Sequence, residues 1–139
     1  MKRPASHLGM SHVALNVRDM VASEHFYVEL MGMKVEWRPD PDNVYLTSGP
    51  DNLALHRSVT ESFDEVAQRL DHIGFFMDTP ESVDDWFAFL SEHGVRMRNP
   101  PRTHRDGARS FYCFDPDGVT VQIIYHPPVT GFWDEKNEP

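Results

Sequence analysis

The chain has 139 residues, of which 40% are hydrophobic and 25% are charged, proportions typical of one compact globular domain. A net charge of −9 argues against nucleic acid as a partner, because phosphate binding requires clustered lysine and arginine. With a single cysteine, Cys113, and no apolar run long enough for a signal peptide or a membrane span, we expect a cytoplasmic protein that does not engage a membrane.

The first predicted elements are a strand and a helix. Residues 11–17 alternate between apolar and polar side chains, which is typical of a strand with one buried face. Apolar residues then recur at helical spacing between Asp19, a suitable N-cap, and Gly32, a suitable C-terminal stop. This stretch predicts one amphipathic helix packed on a sheet.

Short strands and a connecting helix follow. Prolines and glycines separate the apolar runs here, and we predict strands at 33–37, 43–48 and 52–57. The spacing of apolar residues over 60–70 predicts a linker helix.

The second half of the chain repeats this order. A strand at 72–77 leads to a helix capped by Thr79, with Pro80 at its first position and Gly94 at its end. Three more strands are predicted near 95–98, 109–114 and 119–126, and residues 128–139 read as a tail.

Each half therefore reads as one βαβββ module, and the first histidines of the two copies, His12 and His72, are 60 residues apart. We predict an α+β fold in one domain, 1–139, with module 1 at about 9–58 and module 2 at about 71–127. An internal twofold of this kind also favours a symmetric homodimer.

Four polar side chains occupy matched places in the two copies. His12 and His72 open the first strands, and alignment of Asp51 with Asp117 brings His56 and Gln122 to the same place in the last strands. Imidazole nitrogens, supported by an amide oxygen, suit a divalent metal ion such as iron(II), zinc, manganese or nickel. The predicted metal ligands are therefore His12, His56, His72 and Gln122.

The sequence resembles the vicinal oxygen chelate superfamily of glyoxalases, bleomycin-resistance proteins and extradiol dioxygenases. The residues that carry the resemblance are His12, Phe26-Tyr27, Leu30-Met31-Gly32-Met33, His72-Ile73 and Asp115-Pro116-Asp117-Gly118. The resemblance implies paired βαβββ modules that form a cupped sheet around a cleft, with metal ligands at the four positions named above. It also implies a small-molecule substrate or ligand.

A finer likeness covers residues 104–122. His104, Phe111-Tyr112, Asp115-Pro116 and Gly118 resemble the signature of extradiol ring-cleaving dioxygenases. This likeness implies that His104 acts as acid and base beside the metal, with Tyr112 near the site. Arg105 and Arg109 are candidates to bind an anionic group of the substrate.

Gln122 departs from the family, which usually has a glutamate ligand at this position, and His56 is not a carboxylate either. The missing carboxylate weakens both chemistries, because a two-His-one-carboxylate iron site and a glyoxalase site each use one. Because of the likeness over residues 104–122, we predict a metal-dependent enzyme that is dioxygenase-like rather than a glyoxalase. The alternative is a metal-free protein that sequesters a drug or an aromatic ligand, as bleomycin-resistance proteins do.

Overall fold

A computed structural model of the chain describes residues 10, 12–59, 70, 72–105 and 107–127. The chain divides into two compact units, Met1–Ser62 (unit 1) and Phe63–Pro139 (unit 2). The predicted tail at 128–139 and, apart from Leu70, the predicted linker helix at 60–70 lie outside the described residues.

The described residues of unit 1 form four strands and one helical segment. The strands are β1 (His12–Val17), β2 (Lys34–Asp40), β3 (Asn43–Thr47) and β4 (Asn52–Arg57). They form an open sheet in the order β1-β4-β3-β2, in which only the β1–β4 pair is parallel. The side chains that alternate towards the helical segment, including Leu15, Val17, Leu53 and Leu55, are buried.

The helical segment differs from the prediction of one α-helix. Asp19 caps helix α1 (Met20–Glu24) as expected, because its side chain accepts a hydrogen bond from the backbone of Ala22 at 3.1 Å. The chain then continues as a π-helix, His25–Leu30, which carries three buried side chains, Phe26, Tyr27 and Leu30. Gly32, at a φ of 80°, ends it in the left-handed conformation that glycine adopts without strain.

Unit 2 has the same strand order. Its elements are β5 (Ile73–Phe76), helix α2 (Pro80–Glu92), β6 (Arg102–Thr103), β7 (Arg109–Phe114) and β8 (Thr120–Tyr125). The open sheet has the order β5-β8-β7-β6, again with the first pair parallel. The two units therefore share one βαβββ topology, and the predicted α+β fold with its internal repeat is confirmed.

The predicted strand near 95–98 is reduced to a single bridge between Met97 and Cys113. Pairing resumes only at β6, on the far side of Pro100 and Pro101. Proline has no backbone N–H and cannot donate to the ladder, which accounts for the interruption. Within the described residues no helix is long and apolar enough to span a membrane.

Candidate functional site

The candidate residues of unit 2 lie on the face of its sheet that α2 does not cover. On β7, Phe111 packs against Phe87 of α2, with 5.3 Å between ring centroids. Because side chains alternate along a strand, Tyr112 points to the opposite face. This helix-free face of unit 2 is defined by His72, Gly74, Tyr112 and Gln122.

Tyr112 connects the two predicted metal ligands of unit 2. It is the direct cross-strand partner of Gln122, whose Nε2 donates a hydrogen bond to the phenol oxygen at 3.0 Å. The imidazole of His72 meets the same phenol ring edge to face, with 5.4 Å between centroids. His72, Tyr112 and Gln122 therefore form one cluster, and all three are half-buried.

The amide of Gln122 is oriented with Nε2 towards the phenol of Tyr112. Its carbonyl oxygen, Oε1, is left as the ligand-binding atom of the side chain. The register partner of Gln122 on β5 is Gly74, and a Cβ added at Gly74 would stand 3.7 Å from Oε1. The glycine thus leaves space beside the one atom of Gln122 that can bind a cation.

The Asp115–Gly118 motif forms the turn between β7, which carries Tyr112, and β8, which carries Gln122. The buried carboxylate of Asp115 accepts hydrogen bonds from the backbone of Asp117 at 2.8 Å and of Val119 at 2.9 Å. Gly118 adopts a φ of 87° at the end of the turn. The turn holds the register that sets Tyr112 opposite Gln122.

His104 lies in the tight turn between β6 and β7. Its backbone N–H donates to the carbonyl of Ala108 at 2.7 Å, and its Nε2 lies 3.4 Å from Oγ of Ser110. Ser110 is two residues from Tyr112 on the same strand face. His104 therefore contacts the residue that lies next to Tyr112 on the same face of β7, beside the cluster of His72, Tyr112 and Gln122.

The positions of two arginines differ from the predicted anion-binding residues. Arg109 forms a two-pronged ion pair with Asp84 of α2, at 3.0 and 2.6 Å, which raises the pKa of the guanidinium. It faces the helix and not the cluster. The guanidinium of Arg98, which the sequence analysis missed, lies 5.5 Å from the centre of the Tyr112 ring. The isolated bridge at Met97, which sequence alone did not reveal, is what aligns Arg98 with β7.

In unit 1, His12 is oriented by a chain of hydrogen bonds. Its Nδ1 lies 2.7 Å from Oδ1 of Asn52, and Nδ2 of Asn52 donates to the carboxylate of Glu36 at 3.1 Å. Since a carboxylate only accepts, the amide nitrogen faces Glu36 and the amide oxygen faces His12. Nδ1 therefore carries the proton, and Nε2 presents a lone pair. Metal-binding histidines are commonly held by such a second hydrogen bond.

The alignment of Asp51 with Asp117 predicted that His56 is equivalent to Gln122, and the structure does not place it there. His12 pairs with Asn52 across the parallel β1–β4 pair, whereas His56 pairs with Asn16. Four residues of strand correspond to roughly 13 Å, and side chains that rise from one face at that separation do not share an ion.

The registers of the two units show which residues are equivalent. In unit 2 the residue two places after His72 pairs with Gln122. In unit 1 the residue two places after His12, Ala14, pairs with Ala54. Ala54 and not His56 is the counterpart of Gln122, so the alignment of the last strands was wrong by two residues.

The donor atoms suit a divalent ion in kind but carry no charge. His12 offers Nε2 and Gln122 offers Oε1, and both atoms are fixed by neighbouring hydrogen bonds. Across the described part of the chain, no three side chains among His, Cys, Asp and Glu are grouped so that they could hold an ion.

A surface groove of unit 1, about 640 Å³ in volume, involves none of the predicted site residues. It lies along α1 and the π-helix, and Arg38 in its wall is ion-paired with Glu24. Because this charge is already paired and the candidate side chains are elsewhere, we assign the groove no role in the chemistry.

Comparison with known proteins identifies a family that matches the sequence and solved structures that share the fold. The sequence model of the Glyoxalase/Bleomycin resistance protein/Dioxygenase superfamily matches residues 9–123. The chain is 27% identical to metallothiol transferase FosB of Staphylococcus saprophyticus over 115 residues, which are 82% of this chain and 74% of that protein.

Solved structures of the same fold include a glyoxalase/dioxygenase from Nostoc punctiforme, at 24% identity and a TM-score of 0.76, covering 91% of this chain and 97% of that one. A glyoxalase family protein from Enterococcus faecalis has 28% identity and a TM-score of 0.68, covering 84% and 97%. A lactoylglutathione lyase from Agrobacterium tumefaciens, at 20% identity and a TM-score of 0.69 over 86% and 95%, shares the fold.

The chain therefore belongs to the Glyoxalase/Bleomycin resistance protein/Dioxygenase superfamily. Two of the proteins it is similar to are named as enzymes, a transferase and a lyase.

Proposed function

We propose that the protein is a metal-dependent enzyme that acts on a small oxygenated organic molecule. The observation that carries this proposal is the cluster in unit 2, where Tyr112 contacts both His72 and Gln122. We assign His12, His72 and Gln122 as the ligands of a divalent ion, which would be iron(II), zinc, manganese or nickel. His56 is left out of this set because of its register.

A divalent ion at these ligands would act as a Lewis acid on the oxygen atoms of the substrate. The three ligands are neutral, so the full charge of the ion remains available to a substrate anion. Arg98 supports the same preference, because its guanidinium lies over Tyr112 and has no carboxylate partner in the described part of the chain. We therefore expect a substrate that binds as an anion through adjacent oxygen atoms.

Tyr112 and His104 are the groups proposed to act on the substrate. The phenol of Tyr112 accepts from Gln122 and keeps its own O–H to donate to a bound oxygen. The imidazole of His104, beside Ser110, has one ring nitrogen that can donate a proton and one that can accept a proton. This pair belongs to the stretch 104–122 that resembles extradiol dioxygenases, and it favours a dioxygenase-like reaction over a glyoxalase reaction.

The second candidate function is metal-free binding of a drug or aromatic ligand. One observation favours it. Trp37 is 59% exposed, and its ring stacks on Tyr45 of the neighbouring strand, with 5.1 Å between centroids and 20° between planes. An exposed stacked pair is a surface on which a planar ligand can lie.

The assembly and location of the protein are part of the proposal. The repeated topology of the two units supports a symmetric homodimer, and light scattering at micromolar concentration should return the mass of two chains. We propose the cytoplasm as its compartment, where the lone Cys113 would stay reduced. We propose neither nucleic acid nor membrane as a partner, in line with the net charge of −9.

The two candidate functions are separated by the metal content of protein purified without a polyhistidine tag. The enzyme hypothesis predicts close to one divalent ion per chain after incubation with the metal and gel filtration. Protein that retains no ion from any of the four metals would turn the assignment to the binding protein.

A further inference from the structure

His56 belongs to a second chain of hydrogen bonds on the helix-free face of unit 1. Its Nδ1 lies 2.6 Å from Oδ1 of Asn43, its register partner on β3. Nδ2 of Asn43 donates to both carboxylate oxygens of Asp40, at 2.9 and 3.1 Å. The order imidazole, amide, carboxylate is the same as in the chain that begins at His12.

This order fixes the tautomer of His56. A carboxylate only accepts hydrogen bonds, so the amide nitrogen of Asn43 must face Asp40 and the amide oxygen must face His56. An amide oxygen accepts in turn, which places the imidazole proton on Nδ1. The other ring nitrogen, Nε2, then carries a lone pair whenever the imidazole is neutral.

The surroundings of His56 indicate what that lone pair can bind. Its ring meets Tyr45 edge to face, with 5.9 Å between centroids, and Tyr45 in turn stacks on the exposed Trp37. Arg57, the next residue in the chain, is paired with Asp42 at 3.3 Å. The imidazole thus stands at the end of an aromatic surface, with an oriented acceptor nitrogen.

We infer that His56 is a hydrogen-bond acceptor for a planar ligand that lies on the Trp37–Tyr45 pair and carries an O–H or N–H donor. Asn43 and Asp40 are positioning residues, because they act on the ligand only through the tautomer of His56. The inference concerns unit 1 alone and requires neither a metal nor turnover. It therefore succeeds or fails separately from the proposed enzyme activity.

The tautomer can be measured directly by ¹⁵N NMR of the histidine rings at a pH where they are neutral. The parent protein should show His56 with its proton on Nδ1. In Asn43→Ala, Nδ1 of His56 loses its hydrogen-bond acceptor, so a measurable fraction of His56 should carry the ring proton on Nε2. Asn52→Ala is the matched control, because it should alter His12 and leave His56 unchanged. A proton on Nε2 of His56 in the parent protein would overturn the inference.

Binding is tested with phenol and with anisole, in which a methyl group replaces the hydrogen of the O–H donor. Followed by the NMR signal of the Trp37 indole, phenol should bind roughly 3- to 10-fold more tightly than anisole, as one neutral hydrogen bond allows. His56→Phe should abolish the difference, and His12→Phe should preserve it. Equal affinity in the parent protein, a preference that survives His56→Phe, or no binding of either probe would each refute the assignment.

Discussion

Tyr112 and Gln122 are cross-strand partners joined by a hydrogen bond of 3.0 Å, in which Nε2 of Gln122 faces the phenol and Oε1 points away from it. The same phenol ring contacts His72. Tyr112 is therefore the side chain on which the geometry of the candidate site in unit 2 depends.

Tyr112→Phe removes the phenol oxygen and leaves the half-buried amide nitrogen of Gln122 without its acceptor. We expect a loss of about 1 kcal/mol in the free energy of unfolding, the usual value of one such bond. Urea denaturation followed by circular dichroism measures this. Phe114→Leu, on the same strand but outside the cluster, serves as a control for general repacking and should not change metal affinity. Tyr112→Phe should weaken metal binding, and an unchanged affinity would show that the amide orientation does not matter.

Gln122→Glu would add a carboxylate to the proposed set of neutral ligands. Even in a medium as polar as water, one added unit charge about 4 Å from another contributes about 1 kcal/mol, so metal affinity should rise at least about fivefold. Isothermal titration calorimetry with zinc or manganese gives the value. Gln68→Glu, a change of the same charge at a position outside the described residues, controls for net charge. Weaker binding by Gln122→Glu would argue against Gln122 as a ligand.

The loop residue His104 can be tested without disturbing the ligands. His104→Phe keeps the bulk of the ring but removes proton transfer, which typically contributes ~10²–10⁴-fold to rate. Turnover of an accepted substrate should fall by that order while metal content is unchanged. If turnover stays within a few-fold of the parent, His104 serves only the turn and its contact with Ser110.

Much of the fold could be predicted because its signals are local. Asp19 and Thr79 cap their helices as their sequence positions indicate, and the two glycines that end the helical segments adopt positive φ. The interruption before β6 was harder to predict. Pro100 and Pro101 have no N–H group, and this breaks the pairing only where a neighbouring strand would accept a hydrogen bond from that position.

The site was predictable only in part, because register is a non-local property. The parity of β8 identified Gln122, but the place of His56 depended on matching two turns of different construction. In unit 1 the carboxylate of Asp51 accepts from the backbone of Ser48. In unit 2 the carboxylate of Asp115 accepts from the backbone of Asp117 and of Val119. The strand registers match Asp51 with Val119, two residues beyond Asp117, which is the size and direction of the error.

Cys113 provides a pH-dependent test of the core. Burial, together with the nearby Asp115, raises the pKa of its thiol from 9.0 to about 12. The unfolded chain loses this proton at lower pH than the folded chain, so the folded state is increasingly disfavoured as pH rises from about 9 towards 12. The contribution is at most about 1.4 kcal/mol per pH unit.

The measurement is the free energy of unfolding between pH 8 and 11, compared with that of Cys113→Ala. The variant should be less stable at pH 8, since a buried sulfur is lost, but its stability should fall less steeply with pH. Parallel curves would mean that the thiol does not remain protonated in the folded protein. Slow alkylation of the native thiol at pH 8 is a second expected result, since the thiolate is the reactive form.

The central claim is that His12, His72 and Gln122 bind one metal ion and that His56 does not. The most direct test is the metal content of three single variants, His12→Ala, His72→Ala and His56→Ala, each loaded with the same ion and passed through gel filtration. We predict that the first two lose the ion and that His56→Ala keeps it at the level of the parent. Loss of the ion in His56→Ala, or its retention in His12→Ala and His72→Ala, would contradict the assignment.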